Sequence, residues 1–454
     1  MQNIFDEISS LDRRCYDEFA LSEDILMEHA ADGMANFIKN KFPQQNEVLI
    51  ICGSGNNGGD GLALSRLLHK DYNVKVYLVK EPKSEMAKLQ LKRCQKLGVT
   101  FTDTIYEADI VVDAILGTGF QGELDKTLAN TLEVMNSFES KRIACDVPSA
   151  YKFKADFTLT MGALKKSLFE DFAKDYVGEI HVIDLGVSRK IYELNSNVQL
   201  LDENDLKLPH RSEQNTHKGS YGHLAVVSGE KTGASVLSAK AAFRFGTALV
   251  TLLSNENIGA PFEIMQSHQL PATVSAIALG MGLGVEFSQS ELERFVNNKL
   301  PLLLDADIFY HPLLGTLLQR KDVVITPHPK EFCKILECCE IAEIGVEELQ
   351  KDRFTYAQKF SQKFLEVTLV LKGANVIISQ GEEVFVNPHG SNVLAKGGSG
   401  DVLAGLIAGL LAQGYSSLEA AINGSLAHTK LAKSYNGADF SLTPTDLING
   451  IGKL

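Results

Sequence analysis

At 454 residues, with 44% hydrophobic and 22% charged side chains, the chain is too long for one ordinary core and too apolar for a disordered or fibrous protein. A formal net charge of -13 argues against broad contact with nucleic-acid backbones or anionic membranes, because the overall field repels them. Seven cysteines, odd in number and without a C-x-x-C pair, point to reduced thiols in a cytoplasmic protein, and Met1 to Glu7 lack the basic and apolar regions of a signal peptide.

In chain order, short β-rich runs at 47–52, 74–79, 109–115, 141–146, 155–160 and 179–184 alternate with helical patterns, which predicts a parallel, doubly wound sheet. The pattern weakens through a polar stretch, Glu193 to Asn197, so a domain boundary is expected near 190–210. New strands follow at 224–228, 248–253, 276–279, 302–304, 323–326 and 367–372, and the chain is expected to end in helices. The apolar run from Val402 to Ala412 is too short to span a bilayer.

The segment Gly53-Ser54-Gly55-Asn56-Asn57-Gly58-Gly59-Asp60-Gly61 follows the first strand and is read as a loop before a helix over 62–70, the place where α/β folds bind phosphates. A plain dinucleotide loop is disfavoured because Asp60 would repel a pyrophosphate. Two Asn and one Asp suit hydrogen bonding or a cation, or Asp60 simply caps the helix. Asp113 ends another strand before Gly117-Thr118-Gly119-Phe120-Gln121-Gly122-Glu123, and Asp146 ends a third before Val147-Pro148-Ser149. The carboxyl ends of parallel strands share one edge, so the three loops can converge on one crevice.

These residues resemble the NAD(P)H-hydrate epimerase family, with the Asn-Asn-Gly-Gly-Asp-Gly segment as the most specific match. The resemblance implies that Asn56, Asn57, Gly58, Gly59, Asp60, Gly117, Thr118, Gly119, Phe120, Gln121, Gly122, Glu123 and Asp146 hold a hydrated nicotinamide nucleotide. Asp146 would be the acid/base, and Asn57, Asp113 and Ser149 would bind K+. Interconverting R and S epimers at a hydroxylated ring carbon needs bond breaking assisted by proton transfer. The chain departs from the family in one place: Asp-Val-Pro-Ser continues with Ala150-Tyr151-Lys152 instead of Gly-Leu-Asp.

In the second half, Gly397-Gly398-Ser399-Gly400-Asp401 opens an apolar helix, where glycines and free N–H groups make an anion hole. Gly405 and Gly409 read as a packing stripe. Asp401 either caps the helix or accepts a hydroxyl proton as that oxygen attacks a phosphoryl group. Leu371-Lys372-Gly373-Ala374-Asn375-Val376 could seat an adenine nucleotide, His328 lies between prolines at a helix start, and Asp305 and Asp307 could hold Mg2+ through waters or cap a helix.

With Gly233-Ala234 and Gly280-Met281-Gly282-Leu283-Gly284, these motifs resemble the ADP-dependent NAD(P)H-hydrate dehydratases, a ribokinase-like family. The resemblance implies nucleotide contacts from Lys372, Gly373, Ala374, Asn375, Val376 and Gly400. It implies substrate contacts from Ala234, Gly284, His328 and Asp401, with Asp401 catalytic. The whole chain then resembles a bifunctional nicotinamide-nucleotide repair enzyme, with an epimerase domain at 1–198 and a dehydratase domain at 199–454. The implied fold class is α/β: an N-terminal Rossmann-like doubly wound sheet and a C-terminal ribokinase-like domain. Its expected small molecules are NADHX, NADPHX, ADP, Mg2+ and K+, with no nucleic-acid or membrane partner and with assembly as a homo-oligomer. Two alternatives stand beside this reading: a ribokinase-like small-molecule kinase with a regulatory N-terminal domain, and a nucleotide-binding sensor without catalysis.

Overall fold

Runs rich in Val, Ile and Leu become buried parallel strands, because only a sheet covered on both faces can accept side chains that are apolar throughout. The computed structural model describes residues 1–120, 122–284 and 287–454. It divides into two compact units, Asn3–Ser196 and Asn197–Leu454 together with Met1–Gln2.

In the first unit the helices α1 (Ser9–Phe19) and α2 (Glu23–Lys41) precede β1 (Glu47–Cys52) and α3 (Asn56–Leu68). Then come β2 (Asn73–Leu78), β3 (Thr100–Phe101), β4 (Ile110–Ala114), β5 (Lys141–Cys145), β6 (Phe157–Met161) and β7 (Glu179–Ile183). The sheet order is β3-β2-β1-β4-β5-β6-β7, all parallel. The order reverses between β1 and β4, the switch point at which such folds open a crevice.

Strands of the second unit are β8 (Val198–Leu200), β9 (His223–Val227), β10 (Leu249–Leu253), β11 (Met265–Ser267), β12 (Ala276–Leu279), β13 (Leu302–Leu304), β14 (Val323–Ile325), β15 (Val367–Leu371), β16 (Val376–Gln380) and β17 (Glu383–Asn387). They lie in the order β11-β10-β9-β12-β13-β14-β15-β16-β17-β8. From β11 to β15 the sheet is parallel, whereas β16 is antiparallel to both neighbours. Its principal helices are α4 (Thr232–Arg244), α5 (Pro329–Cys338), α6 (Arg353–Lys363), α7 (Ser399–Ala412) and α8 (Ser417–Lys433).

Helix α7 is apolar all round and is buried along nearly its whole length, as such a helix must be. A Cβ on Gly405 would come within 2.2 Å of the Ser238 carbonyl oxygen, and one on Gly409 within 2.9 Å of Thr247 Oγ1, so the predicted stripe lets α7 lie on α4. The fold class is the one expected from the sequence. Two expectations are corrected. Residues 56–61 are not a loop but the first turns of α3, because glycine is tolerated where the N-terminal N–H groups need no helical partner. After β15 the chain forms the β16–β17 hairpin before its helices, turning at Gly381-Glu382, where Gly381 has φ +56. Among the described residues, no helix is long and apolar enough to cross a membrane.

Candidate active sites

The N-terminal site assembles where β1, β4 and β5 end. A Cβ on Gly58 would approach the Gly53 carbonyl oxygen to 2.0 Å, and one on Gly53 the Ile115 carbonyl oxygen to 2.0 Å, so glycine at both lets α3 start against the sheet edge. The N-cap is Gly55, without a side-chain capping bond, so Asp60 does not cap the helix. Asp60 instead lines a cavity of about 120 Å³ with Asp12, Glu23, Met27, Asn56 and Met161 among its walls. Burial, then the charges of Asp146, Asp12 and Glu23, push the Asp60 carboxyl well above the usual carboxylate range.

Asp146 follows β5 with φ +70, a left-handed backbone that few non-glycine residues adopt. Its Oδ1 accepts bonds from Lys165 Nζ at 2.6 Å, Met161 N at 3.1 Å and Thr160 Oγ1 at 3.4 Å. Lys165 was not foreseen from the sequence. It lies in the short strand Leu164–Lys165, where Leu164 and Lys165 pair with Ile4 and Phe5. A lysine directly after the apolar run Met161-Gly162-Ala163-Leu164 is the available signal, since a cation drawn into such a run is retained only with partners.

Asp113 is fully buried and accepts from Ser149 N at 2.8 Å, Ser149 Oγ at 2.6 Å and Ile115 N at 3.1 Å. Burial raises its carboxyl to about 6 against those lowering bonds. Ser149 Oγ also accepts from Leu116 N at 2.9 Å. Asn57 is buried, and neither its Oδ1 nor its Nδ2 has a hydrogen-bond partner among the described residues. Gly117 joins these elements: a Cβ there would lie 3.5 Å from Asn57 Cβ and 3.7 Å from Asp146 Oδ2.

The remaining expected residues lie at the margin. Asn56 is exposed and bonds Glu23 Oε1 at 2.6 Å, Thr118, Gly119, Gly122 and Glu123 are exposed, and Phe120 is half-buried. Gln121 lies outside the described residues. At the departure from the family pattern, Ala150 takes φ +50, the conformation a glycine would adopt without strain.

The C-terminal site gathers at the ends of β13, β14 and β15 and the start of α7. Lys372 Nζ bonds Asp305 Oδ1 at 3.0 Å and lies 4.0 Å from Glu331 Oε2, and a Cβ on Gly400 would sit 3.6 Å from it. Asp305 therefore pairs with lysine and makes no capping bond. Gly398, at φ +90, is the N-cap of α7 and leaves Asp401 as a first-turn residue that does not cap. Burial, followed by the charges of Asp305 and Asp307 and opposed by Lys372, raises Asp401 to about 6.

His328 caps α5 by accepting from Glu331 N at 3.2 Å, and burial followed by the Lys372 charge lowers its imidazole. Gly284 N donates to Asp307 Oδ2 at 2.8 Å, and a Cβ on Gly284, at φ +74, would strike Glu230. Ala234 lies beside Gly282, at whose Cβ position the two methyl carbons would be 3.1 Å apart.

The Lys372-Gly373-Ala374-Asn375 turn is clamped by Arg353 at the start of α6, a second residue the sequence reading missed. Its guanidinium, fully buried, donates to the carbonyls of Asn375 at 2.9 Å, Leu371 at 3.2 Å and Lys372 at 3.1 Å. Val376 starts β16 with its side chain in the hydrophobic core, so only its backbone faces the turn. Ser399 bonds His428 Nε2 at 3.1 Å, and burial lowers His428 to about 4, keeping it neutral.

Comparison with known proteins gives concordant results for both units. A family model described as NAD(P)H-hydrate dehydratase matches residues 224–453, and one described as YjeF-related protein N-terminus matches residues 23–167. The chain is 41% identical over 474 residues, covering 100% of both chains, to the bifunctional NAD(P)H-hydrate repair enzyme Nnr of Helicobacter pylori. It is 33% identical over 506 residues to the protein of the same name from Dictyoglomus turgidum, covering 98% of this chain and 96% of that one. A ribokinase-like superfamily protein from Enterococcus faecalis superposes with a TM-score of 0.50 at 22% identity, covering 57% of this chain and 96% of that chain, a likeness that speaks to the fold alone.

Proposed function

The chain belongs to the family of bifunctional NAD(P)H-hydrate repair enzymes, and from that premise we propose how its two sites divide the work. The enzyme epimerises R- and S-NAD(P)HX and dehydrates the S form to NAD(P)H with ADP, giving AMP and phosphate. A kinase that leaves a stable phosphorylated product is set aside by the family membership.

Residues 1–198 form the epimerase domain and residues 199–454 the dehydratase domain. In the first, Asp146 Oδ2 takes the proton of the ring hydroxyl. The carbon–nitrogen bond at that carbon breaks with its electron pair passing to the ring nitrogen, the ring recloses from the other face, and the proton returns. The glycine-bearing start of α3 and Gly117 border the substrate. K+ suits this site because the buried Asn57 Oδ1, an oxygen ligand, has no partner among the described residues, and Asp113 and Ser149 supply further oxygens at the ends of neighbouring strands. Asn57, Asp113 and Ser149 would hold the ion, which when bound supplies positive charge for an anionic nucleotide.

In the second domain Asp401 takes the hydroxyl proton of S-NAD(P)HX while that oxygen attacks the β-phosphoryl group of ADP and AMP leaves; loss of phosphate from the ring carbon, with a proton from the neighbouring carbon passing to solvent, then restores the double bond. Lys372 and the first N–H groups of α7 offer charge and donors to the phosphates, and Arg353 keeps the Lys372 turn in register. His328, Gly284 and Ala234 border the substrate. Mg2+ would be carried on the ADP phosphates, with Asp305 and Asp307 reaching it through waters. When bound it would offset phosphate charge. We also propose a cytoplasmic homo-oligomer acting on NADHX and NADPHX.

The observation that carries the dehydratase reading is Asp401, raised to about 6 at the start of α7 beside Lys372. Mixed NADHX epimers with ADP and Mg2+ should regain NADH absorbance, and no recovery with ADP or ATP would refute it. Consumption of both epimers faster than spontaneous epimerisation supports the first site.

A further inference from the structure

We propose that Lys165 is a positioning residue for epimerisation, pinning one oxygen of Asp146 so that the other faces the substrate as the proton acceptor. The inference rests on the epimerase reading above. Lys165 is 1% exposed, and its ammonium spends its three donors on Asp146 Oδ1 at 2.6 Å, Thr160 Oγ1 at 2.7 Å and the Met161 carbonyl at 3.1 Å. Asp146 Oδ1 is correspondingly saturated by Lys165, Met161 N and Thr160. Oδ2 accepts no bond among the described residues, and it is the oxygen that lies 3.7 Å from the Cβ position of Gly117, on the side of Asn57. The two oxygens of one carboxylate thus have different surroundings, one occupied by a cation and one open.

Stability does not explain the pair. A buried ion pair is often replaceable by apolar groups of similar volume with no loss of stability, whereas here the pair also fixes a residue whose backbone is left-handed. Strained backbone and a saturated cation together determine where the remaining oxygen points. The approach of Lys165 is itself fixed from two directions, by its parallel pairing with Phe5 and by the turn that brings it back to Met161.

The test uses the full chain and R-enriched NADHX, with kcat and KM measured separately. Lys165→Met should lower the epimerase kcat by about 100-fold while KM changes by no more than about twofold. Lys165→Arg, which keeps the charge, should recover at least about a tenth of the wild-type kcat. In an Asp146→Asn background, Lys165→Met should add less than about a twofold loss, because its effect runs through that carboxylate.

A Lys165→Met enzyme that keeps kcat within about threefold of wild type, or a loss equally large in the Asp146→Asn background, would overturn the proposal. If Lys165→Met fails to fold, the arginine variant decides: a kcat as low as that of Asp146→Asn overturns the proposal too. A wild-type chain that epimerises no faster than water sinks the epimerase reading and this inference with it, which separates that failure from the loss of the inference alone.

Discussion

At the N-terminal site the ammonium of Lys165 bonds straight to Asp146, whereas at the C-terminal site Lys372 bonds to Asp305 and leaves Asp401 without an ion pair among the described residues. Both acidic residues sit beside a helix that starts with glycines, and both lie at the carboxyl end of a parallel sheet. The difference is where the lysine goes. Paired directly, a carboxylate is held and aimed. Left unpaired and partly buried, it is pushed up to about 6, close to the range in which a carboxylate is an effective proton acceptor near neutral pH.

The largest effect should come from the unpaired acid. Asp401→Asn should lower dehydration by about 10²–10⁴-fold while ADP still binds and epimerisation continues, measured by NADH absorbance and calorimetric titration. Loss of ADP binding instead would make Asp401 a nucleotide ligand and erase the contrast. Without substitution, the same residue predicts an acid limb: Asp401 must be ionised to work, so dehydration should fall about tenfold per pH unit below about 6. A rate flat from pH 7 to 5 would show that another group takes the proton.

Arg353→Met should cost about 3 kcal/mol in chemical denaturation and weaken ADP binding, since the carbonyls of Asn375, Leu371 and Lys372 lose a buried or partly buried donor. Unchanged stability would mean the turn holds itself. The smallest effect is expected at the family departure. Ala150→Gly should raise stability by less than about 1 kcal/mol by relieving a left-handed alanine, read as a small rise in Tm.

Several features were legible in the sequence because their signals are local. The glycine-rich segments at Gly53 to Gly61 and Gly397 to Asp401 announce themselves by composition, although the first helix begins at Asn56 and not at Leu62, and strand ends at Asp113 and Asp146 follow from the apolar runs before them. What escaped is non-local. Lys165 reaches Asp146 across 19 residues and Arg353 reaches Lys372 across 19, and only tertiary pairing tells a buried cation from a surface one. The β16–β17 hairpin was not expected, since helices alone were expected after the strand at 367–372, yet its signal is local: two β-rich runs flank the polar turn Gln380-Gly381-Glu382. Asn57 was named from sequence, but that its Oδ1 is buried without a partner among the described residues, which suits a cation, needed the structure.

The central claim, that Asp146 and Asp401 serve separate steps of one repair sequence, is tested most directly by giving Asp146→Asn enzyme mixed NADHX epimers with ADP and Mg2+ and separating the residual epimers by chromatography. The account predicts that S-NADHX disappears at the wild-type rate and R-NADHX remains, declining only at the spontaneous rate. Disappearance of R-NADHX as fast as with the wild-type enzyme would contradict it.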